Sequence, residues 1–524
     1  MKFAHWLWLL YLFLPLLLKS AEWPSGSGPI GNFSSTQNGP LKWSVSLDQN
    51  IAWKLILPET GQSTPVISNG RVYFSTMKPV EKDSTLGKDI VAWCCDSGTG
   101  KVLWKRAIPG QYPLRLSGCF GDSTSPPAVC SNKRVVFLNA SGRVTCFDLE
   151  GKIIWDQPFL SVGRTIPFLH DGKYIFTRQI YPPEPSGNFP HKYSNSPKNM
   201  WTQLQALHMS DGKIAWTSEC GVNMGISTLR QKKNDGRTVA VVGRGGGHGP
   251  PERPFGISMI DLLNGKTLWT LPIDGFLATM TFSIHNGQVH IFHLDKHLSI
   301  DEISGKVKEE ISILEKVTVC RMTNGKRQTR VEKNSPEFPT AFYRDLTKKN
   351  RAITQGSNLI VGDYHYFRSY VRPWLGRVNL KNKVVEYLEL PIQISRSKNR
   401  KDEFKWFLLP TEKKSPKLTT QGFGPNEMVN SRGFKVVGDK RSHGNGWGHI
   451  ASPTPTIAND RLYVPVMNGT VYVIDTQARV LNGKAILAIN DLGPIKHSFT
   501  RSSLSFANGN AYAHTIKELI CIQN

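Results

Sequence analysis

Tryptophan closes the same short pattern again and again along this chain. Asp96-Ser-Gly-Thr-Gly100-Lys-Val-Leu-Trp104 and Asp261-Leu-Leu-Asn-Gly265-Lys-Thr-Leu-Trp269 share one spacing, with Gly four residues after Asp and Trp four after Gly. The copy from Asp148 through Gly151 to Trp155 is one residue shorter in the turn, and that from His208 through Gly212 to Trp216 has His in place of Asp. Asp301 and Gly305 keep the turn but lead to Glu309 where the others carry Trp. An apolar strand ending at Asp, whose carboxylate bonds the turn backbone, then Gly at positive φ and a second strand, is a β-hairpin. The Trp that each hairpin delivers has enough apolar area to hold one sheet against the next.

Trp53, Trp104, Trp155, Trp216 and Trp269 are separated by 51, 51, 61 and 53 residues. That period matches one four-stranded propeller blade with its loops, and these five residues are the expected docking tryptophans. A second element precedes each hairpin, as in Ser63-Thr-Pro65-Val-Ile-Ser-Asn69-Gly70-Arg-Val-Tyr-Phe74. It returns from Ser125, Ile166, Ser283, Ser452 and Ser503, more loosely over 225–242 and poorly over 340–363. Asn-Gly and Asp-Gly pairs flanked by alternating apolar residues mark tight hairpins, and the count of units is eight. The last unit stops at a third strand, Leu519–Gln523, whereas Asn50–Pro58 reads as the end of a unit without a beginning. Pairing the two closes a ring and removes two exposed sheet edges. The expected fold is therefore all-β, an eight-bladed β-propeller of four-stranded antiparallel blades closed by its N- and C-terminal strands.

Ahead of these units stand Met1-Lys2, an apolar run from Trp6 to Leu18, and Lys19-Ser20-Ala21. This reads as a secretory signal, 1–21, without the cysteine that a lipoprotein signal requires. A linker, 22–42, and one propeller, 43–524, are expected to follow, with insertions at about 310–350 and 392–448. The expected location is the periplasm or the outside of the cell, with membrane contact only if the signal stays uncleaved. The formal charge of +25 favours acidic partners, and export turns that preference away from nucleic acid. Eight cysteines in an exported chain permit disulfides, but they allow 105 pairings and fix none.

The Ala/Cys-x-Asp-x-x-x-Gly-x-x-x-Trp turn resembles the tryptophan-docking motif of alcohol dehydrogenases that use pyrroloquinoline quinone (PQQ), and of their non-catalytic relatives. With Trp43 and the Trp53-to-Pro65 stretch, the chain is similar to exported PQQ-binding-like propeller repeat proteins of bacteria. The resemblance covers most of 43–524, strongly through 43–305, weakly through 306–448, and again in 449–524. It implies the fold. It leaves function open, because the docking Trp serves enzymes, scaffolds and binding proteins alike. In the family's enzymes, calcium is held at the axis by Glu, Asn and Asp, an Asp acts as base, an Arg lies near the quinone, and many carry a vicinal disulfide. Cys94-Cys95 is the adjacent pair here, yet it ends a third strand in register with Cys146-Phe-Asp148, away from the channel. Neighbours in a strand point to opposite faces, so two buried thiols are expected. No Asn-x-Asp or Glu cluster marks a calcium site. No cofactor is the main expectation, and PQQ with calcium the lesser one.

In a propeller, the loop leading into each first strand and the loop between second and third strands open on one face. The long insertions fall in these loops: Lys78–Lys88, Tyr181–Asn199, Arg244–Phe255 and roughly Tyr364–Trp374 between strands, and about 310–350 and 392–448 before first strands. A built-up face of this kind is where binding residues ride. Its candidate ligand-binding residues are Gln62, Asp122, Arg164, Arg244, His248, Trp447, His449, His497 and Arg501. Gly243-Arg-Gly-Gly-Gly-His248 is a flexible loop suited to an anion but matches no nucleotide fingerprint. Trp447 between glycines resembles a sugar-stacking edge. His285, His290, His293 and His297 have metal-like spacing but divide between strands and faces, so no metal site is expected. The basic stretch Arg396, Lys398, Arg400, Lys401, Lys405, Lys413, Lys414, Lys417 is interrupted by Phe404, Trp406 and Phe407. It suits acidic glycan or phosphate backbones.

No catalytic residue is assigned. The first functional expectation is an exported, non-catalytic propeller binding an acidic or sulfated glycan, another polyanion or a protein on the insertion-rich face. The second is an envelope assembly scaffold resembling the propeller lipoprotein of outer-membrane barrel insertion. The third is a quinone-dependent alcohol or sugar dehydrogenase.

Overall fold

The computed structural model describes residues 22–118, 121–188, 197–223, 229–244, 254–273, 281–336, 354, 357–369, 373–406, 428–436, 452–495 and 497–524. The expected signal, 1–21, lies outside them. Blade 1 runs outward from Val66–Ser68 through Arg71–Met77 and Ile90–Asp96 to Val102–Ile108. Seven more blades repeat this antiparallel order. Their innermost strands are Val129–Cys130, Phe168–His170, Gln231–Lys232, Ser283–His285, Leu359–Val361, Thr456–Ala458 and Ser505–Ala507. In blade 8 the outermost strand is Ile51–Ile56, paired with Glu518–Ile522 so that Trp53 faces Cys521 and Leu55 faces Leu519. The fold is the expected eight-bladed, all-β propeller, and the orphan strands of the two ends share one sheet.

The tryptophans act as staples between blades. Trp53, Trp104, Trp155, Trp216 and Trp269 each lie on the turn glycine of the next blade, Gly100, Gly151, Gly212, Gly265 and Gly305 in order. In four of them the indole N–H also donates to the carbonyl after the turn's first residue: Ser97 at 3.0 Å, Leu149 at 2.9 Å, Met209 at 3.0 Å and Glu302 at 3.0 Å. At Gly151, φ is +81° and a Cβ would stand 2.8 Å from the Trp104 ring, so backbone and packing both demand glycine there. Asp96 holds its turn by accepting from the backbone N–H groups of Gly98 and Thr99 and the Thr99 hydroxyl.

Where the staple ends, charge replaces it. Glu309 occupies the Trp position of blade 5, opposite Ser299. The turn it meets in blade 6 runs from Asn379 to Lys383, whose N–H closes on the Asn379 carbonyl at φ +66°. Lys383 thus stands where the other turns carry Gly, and its ammonium lies 2.5 Å from Glu309. Between blades 6 and 7 the connection is Arg377, fully buried, which pairs with Glu386 at 2.6 Å and donates to the Ala478 carbonyl at 2.8 Å. Its guanidinium lies 3.8 Å from the Tyr364 ring centroid. Arg377→Met is expected to cost about 3–5 kcal/mol, because Glu386 is left buried without its cation. Urea unfolding measures this, and Arg377→Met combined with Glu386→Leu is expected to recover part of the loss.

Residues 22–42, expected as a linker, are packed as a strap across the inner strands, on the face carrying the turns between first and second strands. Trp23 exchanges backbone bonds with Ile67 of blade 1, Pro24 accepts from Cys130 of blade 2, and Phe33 accepts from Ile457 of blade 7. Ser34–Ser35 then pairs in parallel with Thr456–Ala458. Trp23 and Phe33 are fully buried. The physical reason is that inner strand edges offer unpaired backbone groups, and the strap satisfies them while burying two aromatic rings.

Two expected insertions take a different form. From 310 the chain completes blade 5 with Val307–Ser312, and then Glu315–Thr323 and Lys326–Asn334 add a hairpin to the outer edge of blade 6. As far as residue 336 this segment widens a blade, and 337–350 lie outside the described residues. Likewise Tyr364–Arg368 is a strand, which shortens the loop expected from Tyr364 to Trp374. Between blades 1 and 2 two such loops meet on one face: Leu86–Gly87, between second and third strands of blade 1, pairs with Leu114–Arg115, which leads into blade 2.

Candidate functional site

The channel mouth on the insertion-rich face is built by the segments leading into blades 1, 2, 3, 7 and 8. Together they enclose a cavity of about 50 Å³ lined by Gln62, Thr64, Ser125, Arg164, Thr454 and Arg501, with Ser452 and Ser503 beside them. Three of the sequence-selected residues, Gln62, Arg164 and Arg501, thus meet. Arg501 donates to the Gln62 side-chain oxygen at 2.6 Å and to the Gly118 carbonyl. Ser125 donates to the same Gln62 oxygen at 3.1 Å. No carboxylate lines this cavity among the described residues. A further cation lies one residue behind the wall: buried Arg368 donates to the carbonyls of Pro453 and Pro465, and burial pulls its guanidinium down to about 9.

Asp122, the nearest acid in sequence, supports the wall from behind. Fully buried, it accepts from the backbone N–H groups of Ser117 and Thr124 and from the Thr124 hydroxyl at 2.7 Å. Thr124 in turn accepts from the Gln62 N–H at 3.0 Å. Two other candidates lie elsewhere. Arg244 is buried near Ser258 and Thr270 of the outer part of blade 4, with its guanidinium 6.0 Å from the Trp201 ring centroid. His497 is exposed beside Lys517. His248, Trp447 and His449 lie outside the described residues. Sequence reasoning missed the hydroxyls at Thr64, Ser125, Ser452, Thr454 and Ser503. The signal was present, since the Ser/Thr-rich start of each repeated unit delivers them to the axis.

The basic stretch 392–448 is anchored where it is described. Arg396 donates to the carbonyls of Trp43 and Ile489, which ties the hairpin of Gln393–Ser397 and Arg400–Lys405 to blade 7. Asn430 and Arg432 both bond the buried Glu59 carboxylate of the segment leading into blade 1. Lys398, Arg400, Lys401 and Phe404 remain exposed. Lys413, Lys414, Lys417 and Phe407 lie outside the described residues.

The histidines form a buried cluster between blades 5 and 6, completed by a residue that the spacing did not include. His297 lies 3.1 Å from His365, His365 lies 2.5 Å from the Asn358 side-chain oxygen, and His290 stacks on His297 at 5.4 Å between centroids. The chain has one consistent neutral arrangement, with His297 donating to His365 and His365 donating to Asn358. Burial pulls all three below the usual imidazole range, His290 to about 4. Cys94 and Cys95 point into different parts of the core, Cys94 beside Trp104 and Cys95 beside Trp93. Both are unbonded, with burial pushing each thiol up to about 12.

A family described as outer membrane protein assembly factor BamB matches residues 87–287. That match spans blades with the docking pattern, in keeping with the resemblance drawn from the tryptophan turns. No curated protein sequence matches the chain. Among solved structures, BamB from Moraxella catarrhalis is 14% identical, covering 76% of this chain and 94% of its own, with a TM-score of 0.38. The quinohemoprotein alcohol dehydrogenase from Comamonas testosteroni is also 14% identical, covering 96% and 80%, with a TM-score of 0.48. The computationally designed Ika8 protein is 9% identical, covering 91% and 100%, with a TM-score of 0.48.

The resemblance drawn from the tryptophan turns raises the question of PQQ and its metal. A tricyclic cofactor needs a site of roughly 300 Å³ or more, and its metal needs carboxylates. The axial cavity offers about 50 Å³ and no carboxylate among its lining residues. Asp122 is spent on its own turn. The described residues at the mouth do not fit the group, and no step of a quinone reaction is derived from them. Among the described residues, no helix is long and apolar enough to cross a membrane.

Proposed function

We propose that this protein is a non-catalytic binding propeller whose insertion-rich face takes an acidic or sulfated glycan, one anionic group of which enters the axial cavity. The observation that carries this reading is the wall of two arginines, one glutamine and five hydroxyls with no acid among them. The cavity is small and lined by donors, so a single carboxylate or sulfate is the group that would enter it. The rest of the polymer would extend toward the hairpin tied to the outermost strand of blade 7, where the exposed Lys398, Arg400 and Lys401 add charge beside Asp402 and Glu403. Export to the periplasm or cell exterior belongs to the same proposal.

Isothermal titration with heparin, polygalacturonate and neutral dextran, at two salt concentrations, tests it. Heparin or polygalacturonate is expected to bind and dextran not. Arg164→Gln with Arg501→Gln is expected to weaken binding tenfold or more at the higher salt, where scattered surface charge is screened. Unchanged affinity in that folded double variant would sink the axial reading. The family match over 87–287 favours a second reading, an envelope assembly scaffold with protein partners. Co-purification of outer-membrane barrel-insertion proteins, with no response to any polymer, would select it.

A further inference from the structure

The opposite end of the channel holds a larger space. The strap covers the inner strands of blades 1, 2 and 7 and leaves a cavity of about 610 Å³ against blades 3 to 6. This volume falls within the roughly 300–1,000 Å³ of small-molecule sites. Its apolar wall is Leu229, Ile284, Leu359 and Ile360, and the strap contributes Ile30. Ile30 is 60% exposed, whereas Trp23 and Phe33 of the strap are fully buried and Leu41 is partly buried. It stands at the rim as a surface waiting for a cover.

The polar groups of the same cavity are one-sided in charge. Arg230 and Lys232 face it beside the imidazoles of His170 and His285, which burial pulls below their usual range and leaves neutral, and no Asp or Glu does among the described residues. Arg230 is aimed by neutral acceptors only, the Leu169 carbonyl at 2.9 Å and the Pro29 carbonyl at 3.2 Å. Half-buried without a carboxylate partner, its guanidinium is pulled below its usual range by desolvation. Gln231 is already committed to blade 5, accepting from the Ile284 N–H and donating to the Phe282 carbonyl. The cations are therefore the groups left to meet a ligand. A water-filled funnel would account for the volume but not for an apolar wall facing unpaired positive charge.

We propose that this cavity is a binding site for a small organic anion with an apolar body, its acid group on Arg230 and Lys232 and its hydrocarbon part against Ile30, Ile284 and Ile360. The site is separate from the glycan-binding face and does not depend on it. Decanoate is the probe, with decan-1-ol and decyltrimethylammonium as neutral and cationic partners of the same length. Calorimetry on the full chain is expected to show saturable binding of one decanoate per chain. Decanol is expected to bind at least tenfold more weakly and the cation not at all. Arg230→Gln is expected to lose tenfold or more. Lys232→Ala and Ile30→Trp, both at exposed positions, provide tests that do not disturb the Arg230 bonds: the first weakens binding severalfold, the second blocks it by filling the cavity. Arg501→Gln, at the far end of the channel, is expected to leave decanoate binding intact. No saturable heat, equal binding of all three probes, insensitivity to Ile30→Trp, or an equal loss in Arg501→Gln would each overturn the proposal.

Discussion

Trp104→Ala is expected to lower the stability of the propeller by about 3–5 kcal/mol, the range for deleting a buried Trp side chain. The ring lies at 7% exposure in a cluster with Tyr73, Phe137 and Phe147, against the turn glycine of the next blade. Its removal opens a cavity between two sheets and takes away one of the two donors to the Leu149 carbonyl, which accepts its N–H at 2.9 Å and also accepts from Arg71. The reciprocal change, Gly151→Ala, is expected to cost about 1–3 kcal/mol by overpacking, plus the strain of a Cβ at positive φ. Glu309→Ala is the internal control. It occupies the same register position, but its ion pair with Lys383 is 36% and 40% exposed, so it is expected to contribute under about 1 kcal/mol. Guanidinium unfolding of the three variants decides the matter. If Trp104→Ala costs no more than Glu309→Ala, the tryptophans are not what holds the blades together.

That control also explains what was legible in the sequence. Asp, Gly and Trp at fixed spacing are short-range signals, and each names its own geometry: a turn carbonyl acceptor, a positive φ, an inter-sheet ring. The blades that keep them could be counted from residues alone. Blade 6 could not, because Asn379, Lys383 and Glu386 stand where Asp, Gly and Trp would be, and the partner of Lys383 is Glu309, far away in sequence. The ring closure was readable because two half-units at the ends need one another. The strap was not. Its Trp23 and Phe33 sit in a Gly- and Ser-rich stretch with no periodicity, and only inner strand edges distant in sequence give them partners. At the site, topology alone brought Gln62, Arg164 and Arg501 together. It misjudged Arg244 and His497 because position in a loop does not tell how far a side chain stands from the axis. The larger cavity was missed for the same reason as the strap that bounds it.

Acid is expected to unfold this protein well before its surface carboxylates titrate, starting below pH 6.5. His290, His297, His365 and His514 are all buried, and desolvation holds each below the usual imidazole value, His290 and His514 to about 4. Their folded pKa values are depressed, so between those values and about 6.5 the unfolded chain binds more protons than the folded one. Stability is then complete above pH 6.5 and falls with pH until the folded pKa values are reached. One such group contributes up to about 1.4 kcal/mol per pH unit within its window, and several titrating together steepen the slope. The cluster between blades 5 and 6 is the weak point. A proton on His365 would turn its acceptor nitrogen, 3.1 Å from His297, into a second donor and break the chain that ends at Asn358. Asn358 in turn ties the segments leading into the two blades through Thr281, by bonds of 2.8 and 2.9 Å. This is also the junction where the Trp staple is replaced by an exposed ion pair, which leaves the apolar cluster around Phe292, Phe367 and Tyr387 to resist the opening. Unfolding free energies from urea titrations between pH 7.5 and 4.5 should fall by several kcal/mol in the wild type. His365→Gln, combined with His297→Leu to remove the facing imidazole, should flatten that slope by at least one proton even if it lowers stability at pH 7.5. A profile that stays level down to pH 4.5, or one that the double variant leaves equally steep, would mean that these imidazoles are not the groups that take up the protons.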